Sequence, residues 1–233
     1  MRKRAFLAGI AAVGVAAVWP QGLSAQAAAN PLLVPDKGTF RILLEGAEVG
    51  TEQFETEPSD NAWIARSETV IRVPGGGEMR STGQLRLSAD GSPLRYDWTA
   101  QAEKKTSGAV EFEQGTAKTS INFGGQNPYQ QDFVFSSPRL AVLDNNLHYQ
   151  FALLALLYNW NVKGPQTFPV LIPQHMTPGS VSVESLGAKT IEAAQFEALR
   201  VSSADLEIVV YFDARRRLMR LEVPAANVAV VRR

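Results

Sequence analysis

The sequence predicts a mainly β protein, in which a strongly curved antiparallel meander, shaped as a half-barrel or β-roll, wraps around one central helix. Two observations predict this fold class. Short segments with apolar residues at every second position follow one another along most of the chain, with turn residues between them. One stretch, VLDNNLHYQFALLALLYNWNV at 142–162, is instead apolar on nearly every side. No repeated strand–helix–strand pattern occurs, which disfavours a parallel α/β fold.

The first element is a predicted secretory signal peptide at residues 1–27. A basic start, MRKR, precedes the apolar run AFLAGIAAVGVAAVW, and the small-residue cleavage motif AQA follows at 25–27. This order is typical of a signal peptide. We therefore expect a periplasmic or secreted protein with a mature N-terminus between Ala25 and Asn30, exported by either the Sec or the twin-arginine route. Residues 28–233 are expected to form a single β-rich domain.

The composition of the chain excludes several kinds of site chemistry and gives no indication of a nucleic acid partner. The chain has no cysteine, which excludes disulfides, thiolate metal sites and cysteine nucleophiles. Loss of Arg2, Lys3 and Arg4 with the signal peptide would leave 20 basic residues against 23 acidic ones. This balance gives no electrostatic reason to expect a nucleic acid partner.

Strands fill the first half of the mature sequence. The stretch GTFRILLEGAEVGTEQFETE predicts two strands around the turn EGAE. After a turn at 90–93, Leu94, Tyr96, Trp98 and Ala100 alternate with polar residues, which is the clearest strand pattern in the chain. A further hairpin is predicted to turn near Gln114, and QQDFVF adds another strand.

Strands resume after the apolar stretch and complete the meander. Six segments follow at short spacing: QTFPVLI, SVSVESL, FEALRVSS, DLEIVVYF, RRLMRLEVP and VAVVRR. The stretch ADLEIVVYFDARRRLMRLEV predicts a hairpin that closes at 213–215. So many short strands with a single helix candidate favour an antiparallel meander.

The apolar stretch predicts the central helix, at about 146–160. Its uninterrupted apolar run covers only 151–158, whereas a membrane span needs about twenty residues. We therefore expect no transmembrane span in the mature chain, but a helix buried inside the curved sheet with Asp144 or Asn145 as its N-cap. On this helix Leu154 is expected to be buried, and His148 to lie on the exposed rim.

No pattern in the sequence specifies a reaction. The two histidines, His148 and His175, lack the spacing of a metal site, and no G-x-S-x-G motif is present. The glutamates of EGAEVGTEQFETE could form a glycosidase pair, but the solvent face of a hairpin explains them better. We therefore predict a protein that is not an enzyme and has neither metal nor cofactor.

Aromatic residues suggest a binding function instead. Tyr96 and Trp98 on their strand, with Phe151 and Tyr158 on the helix, are expected to converge near a cavity that holds a lipid or another apolar small molecule. The alternative is that the helix fills the interior completely. The protein would then be a structural or protein-interaction module of the cell envelope, pairing with an envelope protein through a sheet edge.

The order of these segments resembles exported bacterial β-roll proteins of unknown function. It also resembles the half-barrel of periplasmic lipoprotein carriers and of glycolipid-binding proteins. The segments that carry this resemblance are the signal peptide, GTFRILLEGAEVGTEQFE, DGSPLRYDW, LDNNLHYQFALLALLY, FPVLIPQ and RLMRLEVP. The resemblance implies a curved antiparallel sheet around a helix, with an apolar ligand in its concavity. It implies no catalytic residues, and the missing cysteine implies a carrier without a lipid anchor.

Overall fold

The computed structural model describes residues 30–72, 75–125, 127–204 and 206–233. The predicted signal peptide lies outside these ranges. Among the described residues, none of the helices has the length and apolar character needed to cross a membrane.

The described chain forms one large, open, curved sheet of fifteen strands, which confirms the predicted mainly β fold. The strands are β1 (Asp36–Leu44), β2 (Ala47–Ser59), β3 (Ala62–Arg72), β4 (Glu78–Leu87), β5 (Pro93–Gln101), β6 (Lys105–Glu113), β7 (Thr116–Asn122), β8 (Tyr129–Val134), β9 (Ala141–Val142), β10 (Gln166–Ile172), β11 (Thr177–Ile191), β12 (Ala194–Ser202), β13 (Glu207–Phe212), β14 (Leu218–Val223) and β15 (Val228–Arg232). Two single 3₁₀ turns, Pro173–His175 and Pro224–Ala226, follow β10 and β14.

The strand order consists of two meanders joined through the ends of the described chain. Strands β1 to β8 lie side by side in sequence order, and so do β9 to β15. The meanders meet where β1 pairs antiparallel with β15, with Phe40 opposite Arg232 and Leu44 opposite Val228. Strand β9 pairs parallel with β10, and every other pair is antiparallel. Strands β8 and β9 therefore form the two edges of the sheet.

The predicted hairpins form at their predicted turns. The turn between β1 and β2 falls at Glu45 and Gly46, which both have positive φ. Between β4 and β5, Gly91 has a φ of +86°, and the Asp90 carboxylate accepts a hydrogen bond from the Ser92 N–H. Turn residues that tolerate positive φ thus set these strand pairs, as their sequences predicted.

The inner face of the sheet packs on the segment between β8 and β10, at residues 140–160, which we call the central segment. One core cluster joins β1–β3 and β10–β15 to Leu154 and Tyr158 of this segment. A second cluster joins β4–β8 to Leu147 and Leu156. The central segment therefore fills the concavity by giving side chains to both halves of the sheet.

The central helix is much shorter than predicted. The helix α1 covers only Gln150–Leu154, so the expectation of a helix at 146–160 wrapped by the sheet was wrong. Asn146 has a left-handed backbone, with a φ of +59°, which prevents a helix from starting there. Beyond α1, the N–H groups of Leu156 and Leu157 bond to the carbonyls three residues earlier. These tight turns direct consecutive apolar side chains to different core clusters, Leu156 to one and Leu157 to the other.

Gly108 on β6 lets the sheet pack closely around Trp98. A Cβ atom at Gly108 would lie 2.7 Å from Trp98 Nε1 and 2.9 Å from the Ser120 carbonyl oxygen. We expect Gly108→Ala to lower the free energy of unfolding by about 1–3 kcal/mol, as overpacked cores do. Gly77→Ala is the matched control, because no atom lies within 4 Å of its added Cβ. Urea unfolding midpoints measure both, and equal midpoints for the two variants would contradict this packing.

Candidate functional site

The central segment is held in the sheet by a buried carboxylate on β2. Glu52 is fully buried, and its oxygens accept the backbone N–H of His148 at 2.8 Å and of Tyr149 at 3.0 Å. His148 Nδ1 lies 2.9 Å from the same carboxylate. Glu52 therefore holds the two residues that precede α1. The sequence predicted Asp144 or Asn145 as the N-cap, but Tyr149 occupies that position and makes no side-chain cap bond.

Two sequence predictions about this region were wrong. Glu52 does not face solvent with the other glutamates of its hairpin, and His148 is not on an exposed rim, because only 14% of its side chain is accessible. Glu52 lies two residues from Phe54 and therefore shares its inward face. That period-two relation to an aromatic residue is the sequence signal that could have identified Glu52.

Tyr149 fixes the central segment to β2 a second time. Its hydroxyl lies 2.7 Å from Thr56 Oγ1, and its ring stacks on Phe54 with the centroids 4.1 Å apart. Glu52, Phe54 and Thr56 thus present a carboxylate, a ring and a hydroxyl on one face of one strand. Together they fix both the position and the orientation of the residues before α1.

A second buried carboxylate, Asp144, links the central segment to β5 and to the turn after β10. It accepts hydrogen bonds from the Tyr96 hydroxyl and the Gln174 N–H, both at 3.0 Å. The Gln150 side chain in turn accepts the N–H of Asp144. Burial raises the pKa of Asp144 to about 6, although the bonds from Gln174 and Tyr96 act in the opposite direction. The central segment is therefore attached to both halves of the sheet through polar groups.

The raised pKa of Asp144 predicts that acidification stabilises the fold through this group. Its pKa rises from 3.8 to about 6 on folding, so the folded state binds this proton more tightly than the unfolded state. The contribution is fully present below pH 3.8 and is lost as the pH rises through about 6, which amounts to about 3 kcal/mol. The Asp144→Asn variant lacks this titration. Denaturant unfolding of the unchanged protein and of Asp144→Asn, between pH 3.8 and about 6, measures the difference between their free energies of unfolding. If this difference does not change with pH, the assignment of the titration to Asp144 is wrong.

The four predicted ligand-binding residues do not share one cavity. Tyr96 and Trp98 belong to the β4–β8 core cluster, whereas Tyr158 is buried in the other cluster and Phe151 packs against that one. The Tyr96 hydroxyl is already bonded to Asp144. Trp98 Nε1 and the Tyr158 hydroxyl are buried without a hydrogen-bond partner among the described residues. The structure therefore separates two pairs of aromatics that the sequence was expected to bring together.

The space beneath α1 is nearly filled. A cavity of about 10 Å³ lies there, lined by Gly83, Tyr96, Tyr149 and Leu153 among others. That is room for about one water molecule, whereas ligand pockets measure about 300–1,000 Å³.

An open groove of about 970 Å³ lies on the outer face of β1–β7. Its charged groups are paired, as in Lys37 with Glu55 at 3.2 Å and Arg66 with Glu57. The rings of Phe54 and Trp98 beneath it are buried on the inner face. This groove offers hydroxyl and amide groups to a ligand, but neither an exposed ring nor an unmatched charge.

Strand β8 is an exposed edge. Tyr129 and Val134 are 55% and 85% exposed, while the other edge strand, β9, consists of two buried residues. Phe135 donates its N–H to the Gly115 carbonyl beside β7, at 2.8 Å. Because ladder bonds alternate along an antiparallel pair, the N–H and C=O groups of Gln130, Asp132 and Val134 point away from β7. The β8 edge therefore presents a row of backbone groups without a strand partner among the described residues.

A second groove, of about 470 Å³, lies between the end of β8 and strands β10 and β11. Val134 and Phe135 line one side of it, and Pro169 and Pro178 line the other. Strand β9 covers only Val170 and Leu171 of the β10 edge. Pro169 has no N–H to donate, so the rest of that edge is poorly suited to pair with another strand. Of the open edges in the described chain, β8 is thus the one suited to accept another strand.

The comparisons with known proteins reveal a fold and no function. Neither a protein-family model nor a curated protein sequence matches the chain. The chain is similar to the crystal structure of a β-barrel-like protein of the domain of unknown function DUF1849 from Brucella abortus. The TM-score is 0.54 at 10% identity, over 86% of this chain and 95% of that one. A DUF1089 family protein from Pseudomonas aeruginosa gives a TM-score of 0.44 at 9% identity, over 75% and 90% of the two chains. The predicted resemblance to β-roll proteins of unknown function is confirmed at the level of fold.

Proposed function

We propose that this chain is an exported protein-interaction module that binds a polypeptide partner as an additional strand along β8. The observation that carries the proposal is the exposed β8 edge, with its three outward-pointing residues and its exposed Val134. Edge strands in natural proteins are usually shortened, charged or covered, because they pair readily with other chains. Strand addition at an open edge is a recurrent mode of peptide recognition.

The nearly filled interior supports this function over an internal lipid site. The cavity beneath α1 holds about one water molecule, and side chains from both sheet halves pack against the central segment. A lipid bound by Tyr96, Trp98, Phe151 and Tyr158 would have to displace that segment together with the bonds of Glu52 and Asp144. Ligand binding by these four residues stays a prediction.

Site-specific photo-crosslinking in the exporting cells tests the proposal. A photoreactive residue at Gln130 should crosslink to a polypeptide, whereas one at Glu207, exposed on β13, should not. Val134→Pro should remove the crosslink, because it deletes an outward N–H without breaking a bond to β7. Crosslinks that survive Val134→Pro, or that arise equally at Glu207, would contradict binding along β8.

A further inference from the structure

We propose that the β8 edge selects an extended segment that carries a basic residue opposite Asp132 and an apolar residue opposite Val134, and that it rejects a second copy of itself. This inference rests on the proposed function and specifies the partner's chemistry. It follows from the side chains on the outer face of β8 and from the geometry of antiparallel pairing.

Asp132 gives the edge its charge. The buried Phe133 faces the interior, so the neighbouring Asp132 and Val134 face outward. Lys118 lies opposite Asp132 on β7, but its ammonium group donates to Glu113 at 3.0 Å. The outer surface around Asp132 therefore carries two carboxylates and one ammonium, and a cation on the next strand would complement it.

Val134 gives the edge an apolar anchor. It stands at the rim of the groove of about 470 Å³, whose opposite side includes Pro169 and Pro178. A strand added antiparallel to β8 would place its residue opposite Val134 two positions before its residue opposite Asp132. The partner motif in chain order is therefore an apolar residue, any residue, and then Lys or Arg.

The same geometry disfavours self-pairing. The outward residues of two antiparallel copies would pair Gln130 with Val134 of the second copy, and Asp132 with its own equivalent. Two carboxylates directly opposite each other repel. Registers shifted by two residues avoid that contact, but they use only two of the three outward residues. Asp132 therefore disfavours association between copies and favours a basic partner.

Two fluorescein-labelled peptides test the inference. The first is Thr-Thr-Val-Thr-Lys-Thr-Thr, and the second has Glu in place of Lys. Fluorescence anisotropy at low salt should show the Lys peptide binding at least about fivefold more tightly. The preference should reverse with Asp132→Lys, remain with Glu207→Lys as the matched control, and fade towards equal affinities at about 1 M NaCl.

The outcomes separate this inference from the proposed function. One outcome is that the wild-type protein binds both peptides equally and the Val134→Pro variant loses both interactions. That result would overturn the charge selection and leave strand addition intact. Binding that Val134→Pro does not change, or no binding of either peptide, would overturn both. Thermal unfolding midpoints establish that the variants fold. If Val134→Pro does not fold, the response to Asp132→Lys decides the charge selection, because that exposed substitution leaves the backbone intact.

Discussion

Replacing Glu52 by alanine should lower the free energy of unfolding by about 3–5 kcal/mol, among the largest effects we expect of any single substitution in this protein. The carboxylate is fully buried and accepts the N–H groups of His148 and Tyr149 as well as a bond from the His148 ring. Alanine would leave buried donors without an acceptor and would open a cavity beside them. Both effects lower the free energy of unfolding.

Glu55 on the same strand provides the matched control for Glu52. Its side chain is 39% exposed and pairs with Lys37 across the outer face, so Glu55→Ala should cost less than about 1 kcal/mol. Glu52→Gln should fall between the two alanine variants, because an amide retains one accepting oxygen. Urea unfolding curves measure all three. Similar losses for Glu52→Ala and Glu55→Ala would mean that the carboxylate does not hold the central segment.

The Leu154→Ala variant should lose about 2–5 kcal/mol of unfolding free energy, the range for a core leucine. Leu154 is 1% exposed and belongs to the cluster that joins β1–β3 to β10–β15, which confirms that it is buried as predicted. Leu94→Ala, at a position that is 36% exposed on β5, should cost much less. Denaturant midpoints compare the two variants. The reverse order would show that the central segment packs with a different face towards the sheet.

Local pattern predicted many of the strands and their turns, although no strand was predicted at β3 or β9. The alternation around Tyr96 and Trp98 gave the inward face of β5, and both residues are buried. The stretch QQDFVF lies at β8, and the hairpin expected at 213–215 joins β13 to β14. These features depend on a few consecutive residues, so a single sequence contains the information that determines them.

Features that depend on distant pairings could not be predicted. The central segment packs against two core clusters, and the cluster that joins β1–β3 to β10–β15 exists only because β1 pairs with β15. Glu52 accepts hydrogen bonds from a segment that lies 96 residues further along the chain. The position of β8 at the edge is a property of the whole strand order. Each of these facts requires the register between strands, which local alternation does not contain.

The sequence predicted a candidate site in the interior, whereas the site that we propose lies at the edge of the sheet. This difference also depends on contacts between distant parts of the chain. The aromatic content of the inner strands was compatible with a lined pocket or with a filled core. The two possibilities differ in volume, and the volume beneath α1 is about 10 Å³. Side chains from residues 140–160 pack into the space beneath the sheet, and the binding site that we propose instead is the exposed backbone of β8.

Residue-resolved hydrogen exchange of the β8 amides tests the central claim most directly. In the free protein, Gln131 and Phe133 should be protected by their bonds to β7, whereas Gln130, Asp132 and Val134 should exchange at nearly the rate of an unstructured chain. Saturation with the Lys peptide should protect those three amides and leave the others unchanged. Uniform protection along β8 in the free protein, or no change at the three outward amides on saturation, would contradict an open edge that binds a strand.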